Sequence, residues 1–316
     1  MIKTGIYGAG SEIAGHLIKL LLHHPDVDLR WLCSDSHDVG MPVSETHPGL
    51  VGETDMNFVS VPAYASTDVI FLCADPQENR IFLNTVPDLP KEIRLIDLSG
   101  EFRKDSFFGN PFVYGLPEMN RKALVRGASR AVLPSVAAYS VALPLLPLAK
   151  HLLLNGPVFA AVVGSSQLLC GQERCGTADN LISLVSCSES VGEEIAAALR
   201  ELQTSFTSPV NVIPVAGTHT GGIMSVTEID TGVALDEILP FYKEFFSDHS
   251  FITVSDSEPT LKNVQGTNKA VIYLRKTGSR LIITTVMDDI LKGAAGTAVH
   301  IMNLLFGLSE KTGLIL

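Results

Sequence analysis

The apolar positions of the chain follow two regimes. Over roughly the first 134 residues, short apolar runs alternate with segments of helical period. Lys3 to Tyr7 reads as a buried strand, Gly8-Ala9-Gly10-Ser11 as a turn, and Ile13 to Leu22 as an amphipathic helix closing at His23-His24-Pro25. Asp28 to Cys33, Asp68 to Ala74 and Ile93 to Leu98 read as further strands, and Asp75-Pro76-Gln77 opens a helical segment reaching Val86. In Ala131 to Lys150 an apolar strand end runs through Leu133-Pro134-Ser135 into an apolar helix. After Ala149 the pattern changes. Val158 to Gly164, Val210 to Val215, Gly222 to Asp230, Ala270 to Arg275 and Arg280 to Met287 read as strands of an antiparallel or mixed sheet. Glu193 to Phe206 and Leu235 to Phe246 read as helices, and the glycine-rich Lys292 to Gly296 leads into a last helix, Ala298 to Phe306.

Strands alternating with helices predict a doubly wound parallel sheet of the Rossmann type, and the later pattern a second α+β domain; the fold class is α/β. The 316 residues are 46% hydrophobic, with mean hydropathy +0.28, enough for two cores. A net charge of −11 and a pI near 5.2 exclude nonspecific partners that need a basic surface, namely nucleic acid and anionic membrane. MIKTGIYGAG enters a strand at once, without the apolar core of a signal peptide, and the apolar runs are too interrupted to span a bilayer. Cys33, Cys73, Cys170, Cys175 and Cys187 lack a small-domain disulfide spacing, which suits a reducing cytoplasm, and they form no zinc set; no metal is expected.

Candidate chemistry sits at the turns. Glycines between a strand and a helix let backbone approach a pyrophosphate, and the helix N-terminus supplies N–H donors. Gly8, Gly10 and Gly15 depart from the strict GxGxxG spacing, so a glycine turn without a ligand is the competing reading. The second strand ends in Ser34-Asp35-Ser36, where a ribose contact belongs; Asp35 would accept from a 2′-hydroxyl and repel a 2′-phosphate, favouring NAD. The strand ends at Ala74 to Gln77 and Ser99 to Arg103 would line one crevice, with Arg103 binding an anion or pairing with Glu101 or Glu118. At the start of the apolar helix stands Val136, an inert side chain, where helix-terminal N–H groups would activate a thiol. Ser135 and Tyr139 are the nearest polar groups, and neither has a base evident in sequence.

Several strings together resemble N-acetyl-γ-glutamyl-phosphate reductase: Asp97-Leu98-Ser99 with Phe102-Arg103, YGLPE from Tyr114 to Glu118 with Asn120, GTN from Gly266 to Asn268, Asp288 with KGAAG from Lys292 to Gly296, and MNL from Met302 to Leu304. The resemblance implies a Rossmann domain for NADP(H) and a second domain carrying dimer contacts and catalysis, with the last helix returning to the first. It implies residues 1–134 and 292–316 as the dinucleotide-binding domain and 135–291 as the catalytic-type, dimerising one. It also implies a cysteine that attacks the acyl phosphate, a histidine acid and base, and hydride passing between thioester and nicotinamide, in arginine biosynthesis.

The positions that should carry this chemistry differ. The family's Pro-Gly-Cys-Tyr falls on Pro134-Ser135-Val136-Ala137, its histidine on Val191 ahead of Glu193-Glu194, and an expected arginine on Gly221. His-Gly after the third strand is Pro76-Gln77, and the glycine-rich loop reads Gly164-Ser165-Ser166-Gln167-Leu168-Leu169. The nucleotide turn has Glu12 in place of tyrosine. The resemblance thus implies cofactor contacts at Gly8, Gly10, Ser11, Ser34, Asp35, Lys292 and Gly293, and a pocket at Ser99, Arg103, Ser165, Ser166 and Gly221 for an acyl-amino-acid ligand. Cys170, or Cys175 beside Arg174, is the replacement thiol to consider, and His219 the nearest substitute histidine. The expectation is a diverged paralogue with lost or reduced activity, with NADP or NAD as cofactor and its binding weakened or lost, assembled as a dimer or tetramer. The alternatives are an active NAD(P)-dependent oxidoreductase on another substrate and a partner or regulator of an active paralogue.

Overall fold

The computed structural model describes residues 1–34, 38–86, 89–103, 106–107, 110–165, 181–217 and 221–316, and of Ser106, Phe107 and Asn110 the backbone. Two units form: Met1–Pro134 with Ala294–Ile315, and Ser135–Gly293.

The first unit contains β1 (Ile2–Tyr7), α1 (Glu12–Leu22), β2 (Val27–Cys33), β3 (Val69–Leu72), α2 (Pro76–Thr85), β4 (Arg94–Asp97), β5 (Val113–Tyr114), α3 (Pro117–Val125) and β6 (Arg130–Val132). The last helix, Gly296–Leu305, joins them. The strands lie in the order β2-β1-β3-β4-β6-β5, every pair parallel. The order reverses at β1, so the loops after β1 and β3 part and leave a crevice at their carboxyl ends. β3 shows why its sequence is an unbroken apolar run. Val69 and Phe71 join Leu17, Ile18, Val299 and Met302 on one face, while Ile70 and Leu72 join Trp31, Phe82 and Phe102 on the other. Both faces are covered, so no position of β3 meets water, and each such side chain contributes about 2 kcal/mol by burial. The last helix is fastened by Asn303, which donates to the carbonyls of Glu310 (3.2 Å) and Thr312 (2.8 Å) and accepts from His24 Nε2 (3.0 Å).

The second unit contains α4 (Val136–Lys150), β7 (Val158–Ser165), β8 (Leu181–Ser183), α5 (Ser188–Leu202), β9 (Val210–Gly217), β10 (Ile223–Asp230), α6 (Leu235–Phe245), β11 (Ile252–Ser255), β12 (Ala270–Thr277) and β13 (Arg280–Met287). Its sheet is mixed, in the order β8-β9-β7-β10-β13-β12-β11, with β9/β7 and β11/β12 parallel and the other pairs antiparallel. α4 is buried along nearly its whole length and tolerates two internal prolines, Pro144 and Pro147. A proline lacks the N–H that would reach the carbonyl four residues back. For Pro144 that carbonyl is Ser140, and the Ser225 hydroxyl donates to it instead at 2.8 Å.

Some boundaries differ from the sequence reading. α5 begins at Ser188, ahead of the acidic Glu193, and carries Gly192, a poor helix former, inside it, where a methyl would stand 2.3 Å from the Val210 carbonyl oxygen. The glycine-rich lead to the last helix is a π-helical turn, Leu291–Ala295. The short elements β5, α3, β8 and β11 have no clear period in sequence, and tertiary pairing forms them. Cys187 is disulfide-bonded, which spacing along the chain does not reveal, since the bond depends on distance in space. Among the described residues no helix is long and apolar enough to cross a membrane, and no group of His, Cys, Asp or Glu is placed to hold a metal ion.

Candidate functional site

The glycine turn after β1 is built from three directions. Gly8 adopts a φ of +78°, and a methyl there would stand 2.1 Å from the Ala74 nitrogen, so only glycine lets β1 turn this close to the end of β3. The Ala9 N–H donates to the Cys33 carbonyl (2.8 Å), tying the turn to β2. His47 Nε2 donates to the Ala9 carbonyl at 2.8 Å, and Gly15 leaves room for its ring. Gly15 therefore serves this histidine, which accounts for a spacing unlike the strict motif. Ser11 caps α1, its hydroxyl accepting from the Ala14 N–H at 3.3 Å. Beside Gly10 stands the Ser34 hydroxyl, which donates to Asp38 Oδ2 at 2.9 Å. The turn fits a dinucleotide: glycines keep the backbone bare and an eleven-residue helix aims its N-terminus at it.

At the end of β4, Asp97 is fully buried and accepts from the Ser99 N–H (2.8 Å), the Ser99 hydroxyl (2.6 Å) and the Phe102 N–H (3.2 Å). Burial pushes its carboxyl above the ordinary value, and these bonds with the nearby Arg103 charge hold it down only in part. The thiol of Cys73 is raised as well, by burial first and then by Asp97, so it is no nucleophile. Arg103 Nε donates to the Leu133 carbonyl at 2.9 Å, and Glu101 pairs with Arg80. The Asp-Leu-Ser…Phe-Arg string thus organises a turn and holds the chain leading to Pro134.

In the second unit α4 starts at Val136 with Ser135 as its cap, the Ser135 hydroxyl accepting from the Ala138 N–H at 3.3 Å. Sequence offered this serine no partner, yet the structure supplies one from α5. Glu194 Oε2 accepts from the Ser135 hydroxyl (2.7 Å) and Oε1 from its N–H (2.8 Å). Val136 is buried, and a methyl on Gly293 would come within 2.9 Å of its Cγ1. Val191 is buried one turn before Glu194 on α5. Tyr139 is fully buried, inside α4.

Around the end of β13, Asp289 gathers two of the expected pocket positions. Its Oδ2 accepts from the Ser165 hydroxyl (2.7 Å) and its Oδ1 from the Gly222 N–H (2.6 Å), next to Gly221. Asp288 accepts from the Gly266 N–H (2.8 Å) and from the N–H groups of Ile290 (3.0 Å) and Leu291 (2.7 Å), which explains the Gly-Thr-Asn string and the Asp before KGAAG. Lys292, read from sequence as a cofactor contact, is fully buried, with Nζ 5.2 Å from the ring centre of Tyr139 and 5.5 Å from that of Phe251. Asp35, Ser166, Cys170, Arg174, Cys175 and His219 lie outside the described residues. The groups missed by sequence reasoning are Asp38, His47, Glu194 and Asp289. Of these only Asp38, close behind Ser34 at the end of β2, carried a signal.

Residues 3–126 match the semialdehyde dehydrogenase NAD-binding domain and residues 137–289 the semialdehyde dehydrogenase dimerisation domain. Aspartate semialdehyde dehydrogenase II from Vibrio cholerae, complexed with ASA, shares the fold with a TM-score of 0.74 at 15% identity, covering 97% of this chain and 98% of that one. The Candida albicans aspartate semialdehyde dehydrogenase with NADP does so with a TM-score of 0.73 at 14% identity, covering 97% and 99%. N-acetyl-γ-glutamyl-phosphate reductase from Parabacteroides distasonis is 40% identical, and that from Bacteroides thetaiotaomicron 38% identical, each over 99% of this chain and 98% of the relative. With this identity over nearly the full length, on the fold described, the chain belongs to the N-acetyl-γ-glutamyl-phosphate reductase family.

Proposed function

We propose that this member of the family keeps the dinucleotide-binding and assembly functions of its two units and has lost thioester chemistry. The observation that carries the reading is Val136, the first residue of α4 and buried, at the position where the resemblance calls for the nucleophile. A thiolate would attack the acyl carbonyl and expel phosphate; an isopropyl group offers no electron pair. Val191, also buried and hydrocarbon, stands where the resemblance calls for the proton carrier. Ser135 does not fill the gap. Its oxygen caps α4 and its proton is held by Glu194, and a carboxylate is a weak base towards an alcohol. A bound nicotinamide dinucleotide would supply hydride, and here the turn at Gly8 to Ser11 would hold its pyrophosphate.

Following NADPH or NADH oxidation with N-acetyl-γ-glutamyl phosphate tests the reading. The expected rate lies at least about 10⁴-fold below that of an active relative, since loss of a nucleophile and its proton carrier removes a unit that acts together. A rate equal to the relative's overturns it.

One observation favours a role through assembly. Ile213, Ala161 and Val226 stand side by side across β9, β7 and β10, and Ile213 and Val226 are exposed, as are Phe159 and Val163 on β7. An apolar sheet face of this kind supports a homo-oligomer, or docking with an active paralogue through the same face. Light scattering of the purified protein is expected to give a dimer or tetramer, and Ile213→Glu to shift it towards monomer.

A further inference from the structure

We propose that Asp38, steadied by Ser34, makes the first unit select NAD(H) over NADP(H). The inference rests on the reading that the glycine turn still holds a dinucleotide. In a doubly wound sheet the pyrophosphate lies on the helix after the first strand, and the adenosine ribose reaches the end of the second. Here that end is Ser34, directly after β2. Its N–H donates to the Val59 carbonyl (3.3 Å), which fixes its backbone, and its hydroxyl donates to Asp38 Oδ2 at 2.9 Å. The pair faces the second glycine of the turn. A methyl at Gly10 would meet Ser34 Oγ at 2.7 Å and Asp38 Oδ2 at 3.1 Å.

A carboxylate is therefore held within a few ångströms of the backbone that would carry the pyrophosphate. The hydroxyl positions it and does not neutralise it. Oδ1 can accept from a ribose hydroxyl, as the acidic residue of an NAD site does. A 2′-phosphate would bring close to two negative charges to the same place, where the attraction needed for NADP, usually an arginine, is replaced by repulsion. Asp35, three residues before Asp38 in the sequence, carries the same charge, so the experiment separates the two.

The full-length protein is titrated by calorimetry with NADH and NADPH, and with 5′-AMP and 2′,5′-ADP as fragments that differ chiefly in the 2′-phosphate. NADH is expected to bind at least about 10-fold tighter than NADPH, with 5′-AMP preferred over 2′,5′-ADP in the same sense. Asp38→Asn is expected to narrow both ratios by raising affinity for the 2′-phosphorylated ligand. Equal or tighter NADPH binding overturns the proposal, as does an unchanged ratio in Asp38→Asn while Asp35→Asn removes it. Failure of all four ligands to bind a protein that melts cooperatively overturns the retained cofactor site itself, a result distinct from binding with the opposite preference.

Discussion

Two strand–turn–helix junctions in this molecule are built alike and do different things. At Ser11 and at Ser135 a serine caps the helix, and in both its hydroxyl accepts from the N–H three residues on, at 3.3 Å. Ahead of Ser11 the residues are glycine and alanine, held by backbone bonds and by His47, and the turn is only partly buried. Around Ser135 the next three residues are buried, and Glu194 takes both the N–H and the hydroxyl of the cap. The first junction leaves bare backbone at its glycines, whereas the second spends its donors on a neighbouring helix. A helix N-terminus becomes a binding site only where nothing within the protein already claims it.

The strongest way to break the first junction is Gly8→Ala. The added methyl meets the Ala74 backbone in a conformation unfavourable for alanine, so a loss of about 4 kcal/mol in urea unfolding is expected, together with loss of NADH binding. The matching change at the second junction is Glu194→Ala. It strips two donors of Ser135 of their acceptor and should cost about 3 kcal/mol, without affecting NADH titration. Equal loss of NADH binding in both variants would show that the two junctions are not independent.

Truncating the caps sharpens the contrast. Ser11→Ala removes one capping bond, about 1 kcal/mol, whereas Ser135→Ala also removes the donor to Glu194 and should cost about 2 kcal/mol. Thermal or urea unfolding of the two variants side by side reads the difference.

The smallest effect concerns pH. Burial lifts the Asp97 carboxyl above its ordinary value of 3.8, so folding favours the protonated form. That contribution is complete below pH 3.8 and is lost as pH rises through the folded value. The stability of the wild type relative to Asp97→Asn should therefore grow as pH falls from about 7 to about 4. A difference that shrinks on acidification would mean that the Ser99 and Phe102 bonds outweigh the burial.

Apolar periodicity carries most of the fold here because it reports which faces meet other elements. β3 reads as a strand covered on both sides, and β7 alternates buried and exposed positions as its place in a half-open sheet demands. Val136 announces itself in the chain, since a hydrocarbon cannot be mistaken for a thiol whatever surrounds it. Gly8, Gly10 and Ser11 are likewise legible as a turn and a helix cap, because a serine just ahead of an apolar run of helical period marks a helix start.

What the amino-acid order determined by itself was the α/β class, the position of the turns and the chemical identity of the side chain at each. The tertiary structure alone decided partnership: that Glu194 closes on Ser135 across 59 residues of chain, that Asp289 reaches Ser165 across 124, that His47 holds the Ala9 carbonyl, and that Lys292 lies between aromatic rings. Local propensity depends on neighbours a few residues away. Hydrogen bonds and desolvation depend on distance in space, which the order of residues does not give until the chain is folded.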